Sequence, residues 1–121
     1  MQDIIKLIIA GGRDFNDYDM IKNEANKFIS ELNPTAVIIV SGGAKGVDAL
    51  GEKYARDNNF DIEIFKADWS KYGRAAGPKR NKSMAQFASH LLAFWNGESK
   101  GTKSMISLAK RENLIIKVCS I

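Results

Sequence analysis

Apolar residues fall into five short runs, separated by segments in which they recur every three or four positions. Ile4–Ala10, Ala36–Val40 and Leu91–Trp95 are almost continuously apolar, the pattern of strands buried on both faces. Asp61–Lys66 alternates with period two, which predicts a strand near the sheet edge with one face exposed, and Leu114–Val118 is the fifth run. After the first, Met20, Ile21, Ala25, Phe28, Ile29 and Leu32 keep helical spacing, with Asn16 or Asp17 as N-cap and Asn33-Pro34 as the stop. A second helix is predicted from about Gly46 to Asn58, with Val47, Leu50, Tyr54 and Ala55 inward. Ala67–Gly77 reads as irregular. Gly77-Pro78 then opens a third helix with Pro at its first position and Met84, Phe87 and Ala88 inward. A fourth begins near Thr102, carries Met105, Ile106, Leu108 and Ala109, and ends on Lys110-Arg111, as the helix dipole prefers.

This βαβαβαβαβ order demands a parallel sheet with right-handed crossovers and helices on both faces. Strand order 3-2-1-4-5 follows if the switch point lies between strands one and four. Three of the apolar runs end in Gly-rich turns that lead into helices: Gly11-Gly12-Arg13-Asp14, Ser41-Gly42-Gly43-Ala44-Lys45-Gly46-Val47-Asp48 and Asn96-Gly97-Glu98-Ser99-Lys100-Gly101-Thr102. The carboxyl ends of parallel strands share one edge, so these turns should converge on a crevice of bare backbone N–H groups and helix N-termini. Such a crevice is an anion site, suited to phosphate.

Length and composition narrow the class. With 121 residues, no internal repeat and no linker, the whole of 1–121 is expected to be one domain with a core that needs no staples. Apolar residues make up 45% and charged residues 26%, which gives no sign of disorder. The single Cys119 lies in an apolar run and reads as a small buried hydrophobe, fitting a reducing compartment. Met1-Gln2-Asp3 leads straight into a strand without a leader pattern, and no apolar run approaches the ~18–20 residues that span a bilayer. A cytoplasmic protein without a membrane partner is therefore expected.

A net charge of +4 favours anionic partners, yet only Lys71 to Lys82 is a basic segment, with Lys71, Arg74, Lys79, Arg80 and Lys82 and no acidic residue. It reads as a loop that binds a small anion or a nucleic-acid backbone, or as a solvated basic loop. The second turn matches neither common nucleotide pattern. A P-loop would close on Gly-Lys-Ser/Thr, whereas Val47 and Asp48 follow Gly46, and a dinucleotide fingerprint would need Gly where Ser41 stands. His90 has no Cys or second His beside it, so no metal is expected.

The second turn, the block Asp68-Trp69 with Tyr72–Asn81 and Met84, and the block Ala93–Gly97 with Lys100-Gly101-Thr102 and Met105 together resemble the SLOG superfamily. More narrowly they resemble its small YspA-type (YpsA-related) branch, found in bacteria and their phages. The resemblance covers nearly the whole chain and implies a Rossmann-like three-layer fold, a nucleotide or nucleotide-derived ligand, and self-association as a homodimer or higher homo-oligomer. The superfamily includes the LOG phosphoribohydrolases, which split a nucleotide at its N-glycosidic bond, and DprA, which binds single-stranded DNA. Arg80 matches the arginine that LOG enzymes place beside substrate, and Gly101-Thr102 matches the Gly-Thr of their phosphate loop. Three residues after that Thr those enzymes carry a glutamate used in the glycosidic chemistry, where this chain has Met105. Methionine neither takes nor gives a proton, so catalysis would require Asp14, Asp48, Asp68 or Glu98 to replace it from another loop.

The residues assigned to the ligand are Gly11, Gly12 and Arg13 in the first turn; Ser41, Gly42, Gly43, Lys45, Gly46 and Asp48 in the second; Asp68, Trp69, Arg80 and Asn81 in the middle block; and Gly97, Gly101 and Thr102 in the third turn. Each has a plainer reading. Arg13 and Arg80 either grip phosphate or pair with surface carboxylates, Thr102 either touches the ligand or is an N-cap, and Asp48 either meets a ribose or favours the helix dipole. Trp69 and Tyr72 either stack on a base or plug the core, and Trp95 reads as core. The expected function is sensing or sequestration of a phosphate-bearing, nucleotide-derived ligand such as an ADP-ribose, NAD-derived or cyclic nucleotide signal, with no cofactor. The alternatives are nucleotide N-glycoside hydrolysis and single-stranded nucleic-acid binding; a single basic segment disfavours the latter.

Overall fold

The computed structural model describes residues 4–121; Met1-Gln2-Asp3, read above as leading straight into a strand, lies outside the described residues. The elements are β1 (Ile4–Gly11), α1 (Tyr18–Leu32), β2 (Ala36–Ser41), α2 (Val47–Asp57), β3 (Asp61–Ile64), α3 (Trp69–Tyr72), a 3₁₀ turn (Gly73–Ala75), α4 (Ala76–Phe87), β4 (His90–Trp95), α5 (Lys100–Arg111) and β5 (Ile115–Ser120). All strands pair in parallel in the order β3-β2-β1-β4-β5. β1 is thus central, and the edge position of β3 accounts for its polar alternation.

The apolar run of β1, broken only by Lys6, divides between two cores because successive side chains leave opposite faces of a strand. Ile5, Leu7 and Ile9 pack with Ile21, Ala25 and Phe28 of α1 and Val47, Tyr54 and Ala55 of α2. Ile8 and Ala10 pack on the other face with Met84 and Ala85 of α4 and Met105, Ile106 and Ala109 of α5. The result is a three-layer α/β domain. Each large apolar side chain buried this way contributes about 1.5–3 kcal/mol of hydrophobic free energy.

The helix ends follow side-chain chemistry. Asp17 caps α1 by accepting from the Met20 N–H at 3.2 Å, and Asn33 stops it in the left-handed region at φ 47°. Two starts depart from expectation. α4 begins at Ala76, so Pro78 is its third residue; its missing N–H still falls among the first four, which have no partner within the helix. α5 begins at Lys100 because Ser99, rather than Thr102, is the cap, its Oγ accepting from the Thr102 N–H at 3.4 Å. The segment expected to be irregular holds one helical turn, α3, which Asp68 nucleates by accepting from the Lys71 N–H at 3.1 Å. β5 runs two residues beyond the predicted Val118, to Ser120, pairing Cys119 with Phe94 and Ser120 with Trp95. Cys119 is buried, as a small hydrophobe would be.

Candidate functional site

The first two turns are locked together before any ligand is considered. The Val47 N–H, at the start of α2, donates to the Gly12 carbonyl at 3.1 Å. Gly46 sits at φ 77°, and a Cβ there would drive into the carbonyls of Gly12 and Arg13. Only glycine lets the two turns approach this closely. Ser41 Oγ accepts from the Gly43 N–H at 3.1 Å and donates to Glu52 at 2.6 Å. The Ala44 N–H donates to Asp48 Oδ2 at 3.3 Å.

These bonds correct the expected crevice of bare amides, because the Gly43, Ala44 and Val47 N–H groups are already satisfied. In the third turn, Asn96 Oδ1 accepts from both the Glu98 and Ser99 N–H groups at 2.9 Å. The first two amides of α5, Lys100 and Gly101, have no acceptor among the described residues, and Gly101 lines the open space.

That space is a chamber of about 660 Å³ at the carboxyl edge of β1, β2 and β4. Its walls include Gly11–Phe15, Gly42, Ala44, Asp48, Arg80, Asn81, Met84, Asn96, Ser99, Gly101, Thr102, Met105 and Ile121. Arg80, in the second turn of α4, reaches across to the Gly-rich turn that follows β2. Its Nη1 donates to the Gly42 carbonyl at 2.6 Å and its Nε to Asn81 Oδ1 at 2.8 Å. Asp48, in the first turn of α2, is 9% exposed. A Cβ on Gly42 would lie 2.8 Å from both Arg80 Nη1 and Asp48 Oδ2, so the missing side chain leaves room for both charges.

The two charges nevertheless do not pair. Among the described residues the ion pairs within 4.0 Å are Lys27–Glu24, Lys53–Asp57 and Lys117–Glu24, and none engages Arg80 or Arg13. Burial holds the Asp48 carboxyl above its ordinary range, against the pull of the Ala44 N–H and of Arg80. Burial likewise lowers the Arg80 guanidinium, with Asp48 opposing and Arg13 reinforcing that shift. The surface ion-pair reading of both arginines therefore fails.

A second concavity of about 480 Å³ adjoins the chamber and shares Arg13, Gly42, Ala44 and Arg80 with it. Its remaining walls are Gly43, Lys45, Lys66, Ala67 and Trp69, so it presents four cationic side chains and no carboxylate. Trp69 is 51% exposed and its ring packs over Gly77. Tyr72 is 41% exposed, with the Lys71 and Lys79 ammonium groups 5.1 and 4.9 Å from its ring centre. Neither aromatic plugs the core. Trp95 is half-buried against the second core and ties β4 to the third turn by donating from Nε1 to the Ser99 carbonyl at 3.1 Å.

Of the residues assigned from sequence, Gly11, Gly12, Arg13, Gly42, Asp48, Arg80, Asn81, Gly101 and Thr102 line the chamber. Gly43, Lys45 and Trp69 line the annex beside it. Four are placed elsewhere. Ser41 is buried under the second turn and holds it to Glu52; Gly46 is pressed against the first turn; Asp68 caps α3; and Gly97 stands in a solvent-facing turn, where a Cβ would meet nothing within 4 Å. Phe15, Ala44, Met84, Asn96, Ser99, Lys66 and Ile121 were missed as wall residues. Ala44, Met84 and Asn96 lie within the motif blocks and Ser99 within the third Gly-rich turn, and they could have been found there. Phe15 stacks on Phe94 with centroids 6.0 Å apart, and Ile121 is drawn in by its N–H bond to the Trp95 carbonyl at 3.1 Å; neither contact leaves a local sequence signal. Of the four carboxylates weighed as replacements for the absent glutamate, Asp14 and Asp48 border the chamber and Asp68 and Glu98 do not. Met105 lines it at 2% exposure.

The architecture and the chamber at its switch point define a Rossmann-like α/β domain with a ligand-sized crevice. The chain belongs to the YAcAr family, described as the YspA, cpYpsA-related SLOG family, whose sequence pattern matches residues 5–72. The match takes in the first two turns and α3; Arg80 and the third turn lie beyond it. The chain is also 29% identical over 119 residues to the Gene 61 protein of Mycobacterium phage D29, covering 90% of this chain and 91% of that protein. A solved structure described as a predicted subunit of tRNA methyltransferase from Methanocaldococcus jannaschii superposes with a TM-score of 0.47 at 17% identity, over 98% of this chain and 67% of that one. Among the described residues no helix is long and apolar enough to cross a membrane.

Proposed function

We propose that the chamber binds a small, phosphate-bearing, nucleotide-derived ligand, and that the protein senses or sequesters it. The observation that carries this reading is Arg80. It is half-buried, fixed by two hydrogen bonds, without a carboxylate within 4.0 Å, and it stands where the chamber meets the annex. A desolvated cation left unpaired is costly, and an anionic ligand removes that cost. The chamber falls within the ~300–1,000 Å³ typical of small-molecule sites. Phe15, Met84, Met105 and Ile121 supply apolar walls for a base, while Asp48, Asn81 and Asn96 supply polar groups for base edges or ribose hydroxyls. Membership of a SLOG family supports a nucleotide-related ligand.

With Met105 on the wall, positioning comes without a proton-transfer group at that point, so bound compounds should be returned intact. Excess protein is incubated with ADP-ribose, NAD and linear and cyclic nucleotides, denatured and analysed by chromatography and mass spectrometry. Stoichiometric recovery of a bound compound supports sequestration or sensing. Retention of none of them overturns the reading.

One observation favours N-glycoside hydrolysis as a second reading. Asp48 is a buried carboxyl on the chamber wall whose proton affinity is raised by desolvation, which suits a general acid. Multiple-turnover release of free base, lost in Asp48→Asn, would establish it.

A further inference from the structure

We propose that the annex is a second anion subsite and that the ligand is a nucleotide bearing two linked phosphates, with one phosphate at Arg80 and the next among Arg13, Lys45 and Lys66. This inference rests on the chamber being the ligand site proposed above. Its starting point is the division of the space. The chamber and annex are separate concavities that meet at Arg13, Gly42, Ala44 and Arg80. Their chemistry differs as well. The chamber mixes apolar walls with two carboxylates, Asp14 and Asp48, against two arginines. The annex holds four cations and no carboxylate.

A single phosphate held at the junction would engage Arg80 and leave Lys45 and Lys66 in the annex wall with no counter-charge. None of the four annex cations forms an ion pair within 4.0 Å among the described residues. Like charges gathered in one concavity repel, and Arg13 already acts on Arg80 in that sense. A second phosphate bonded to the first extends only a few ångströms further, so a ligand held at the residues the two concavities share would carry it into the annex, and it brings the additional negative charge that the lysines can neutralise as point charges. The ligand class is therefore a nucleoside diphosphate or a compound built on one, and a cyclic or simple monophosphate would leave the annex empty.

The test uses probes that do not depend on knowing the base. Inorganic phosphate and inorganic pyrophosphate are titrated into the protein, followed by the mono- and diphosphates of the four common ribonucleosides. Pyrophosphate should bind at least tenfold more tightly than phosphate, and the best nucleoside diphosphate at least tenfold more tightly than its monophosphate. In the Lys45→Gln, Lys66→Gln double variant this ratio should fall towards one, with an unchanged melting curve showing that the fold is retained. Monophosphate binding with no gain from the second phosphate would overturn the annex assignment and leave the chamber reading standing. Absence of binding by every probe would overturn both. A tenfold preference that survives loss of both lysines and also of Arg13, in the Arg13→Gln, Lys45→Gln, Lys66→Gln triple variant, would also overturn the assignment, since the second phosphate would then sit elsewhere.

Discussion

Replacing Arg80 by alanine separates a ligand-binding role from a structural one. A guanidinium carries five N–H donors; in the free protein one on Nη1 is held by the Gly42 carbonyl and the one on Nε by Asn81. The other three have no acceptor among the described residues and form the fork that would meet a phosphate. Hydrogen bonds involving a charged group contribute about 1.5–3 kcal/mol net. Loss of the fork should therefore weaken binding of the tightest nucleotide by about 1.5–3 kcal/mol, roughly ten- to a hundredfold. The free protein should suffer little. The Gly42 carbonyl loses its donor, but the vacated space opens to the chamber and water takes the bond, while the burial cost of the guanidinium disappears. These opposing effects keep the change in folding stability near 1 kcal/mol or below. Titration calorimetry measures the first quantity and urea denaturation the second. Arg80→Lys, which keeps the charge and loses the fork, should recover less than half of the lost binding energy. Unchanged affinity in Arg80→Ala would refute the site assignment, and a large stability loss with binding retained would make Arg80 a strut for the second turn.

The remaining predictions address the walls of the site. Because burial raises the Asp48 carboxyl above its ordinary 3.8, the native state holds that proton more tightly than the unfolded chain; its contribution to stability is fully present below pH 3.8 and is lost as pH rises through the folded value. Asp48→Asn should therefore melt higher than the parent at neutral pH, with the difference vanishing in acid, and an equal or lower melting temperature at neutral pH would contradict this sign. Gly46→Ala should cost ~3 kcal/mol or more in urea denaturation, since it combines a glycine-only backbone conformation with collision against two carbonyls. Gly101→Val places its side chain where nothing lies within 4 Å. It should change the stability of the free protein by less than about 1 kcal/mol while abolishing the ligand-induced shift in melting temperature; a full shift would make Gly101 only a structural turn.

The pattern of apolar runs was enough to reach the parallel sheet, because a buried strand must be apolar on both faces and parallel neighbours need helical crossovers; its order followed only once the switch point was placed between strands one and four. β1 shows this directly: its run, broken only by Lys6, predicts a strand buried on both faces, and the observed order sets it between β2 and β4. The Gly-rich turns likewise marked which end of the sheet would carry the chamber. Their local hydrogen bonding was not legible in the same way. Whether an amide at Gly43 or Ala44 is free depends on Ser41 and Asp48 folding back onto their own turn, and whether Ser99 or Thr102 caps α5 depends on one turn of backbone. Other features exist only across the tertiary structure. Arg80 reaches the turn after β2 from α4 over a separation of 38 residues, and Ile121 and Phe15, from opposite ends of the chain, line the same chamber. The charge of the annex is of the same kind. Arg13, Lys45, Lys66 and Arg80 are scattered along the chain, and only the convergence of three loops and α4 at the sheet edge brings them together in a concavity lined by no carboxylate. A sequence records how many charges a chain carries, whereas packing decides which of them face each other and which are kept from water.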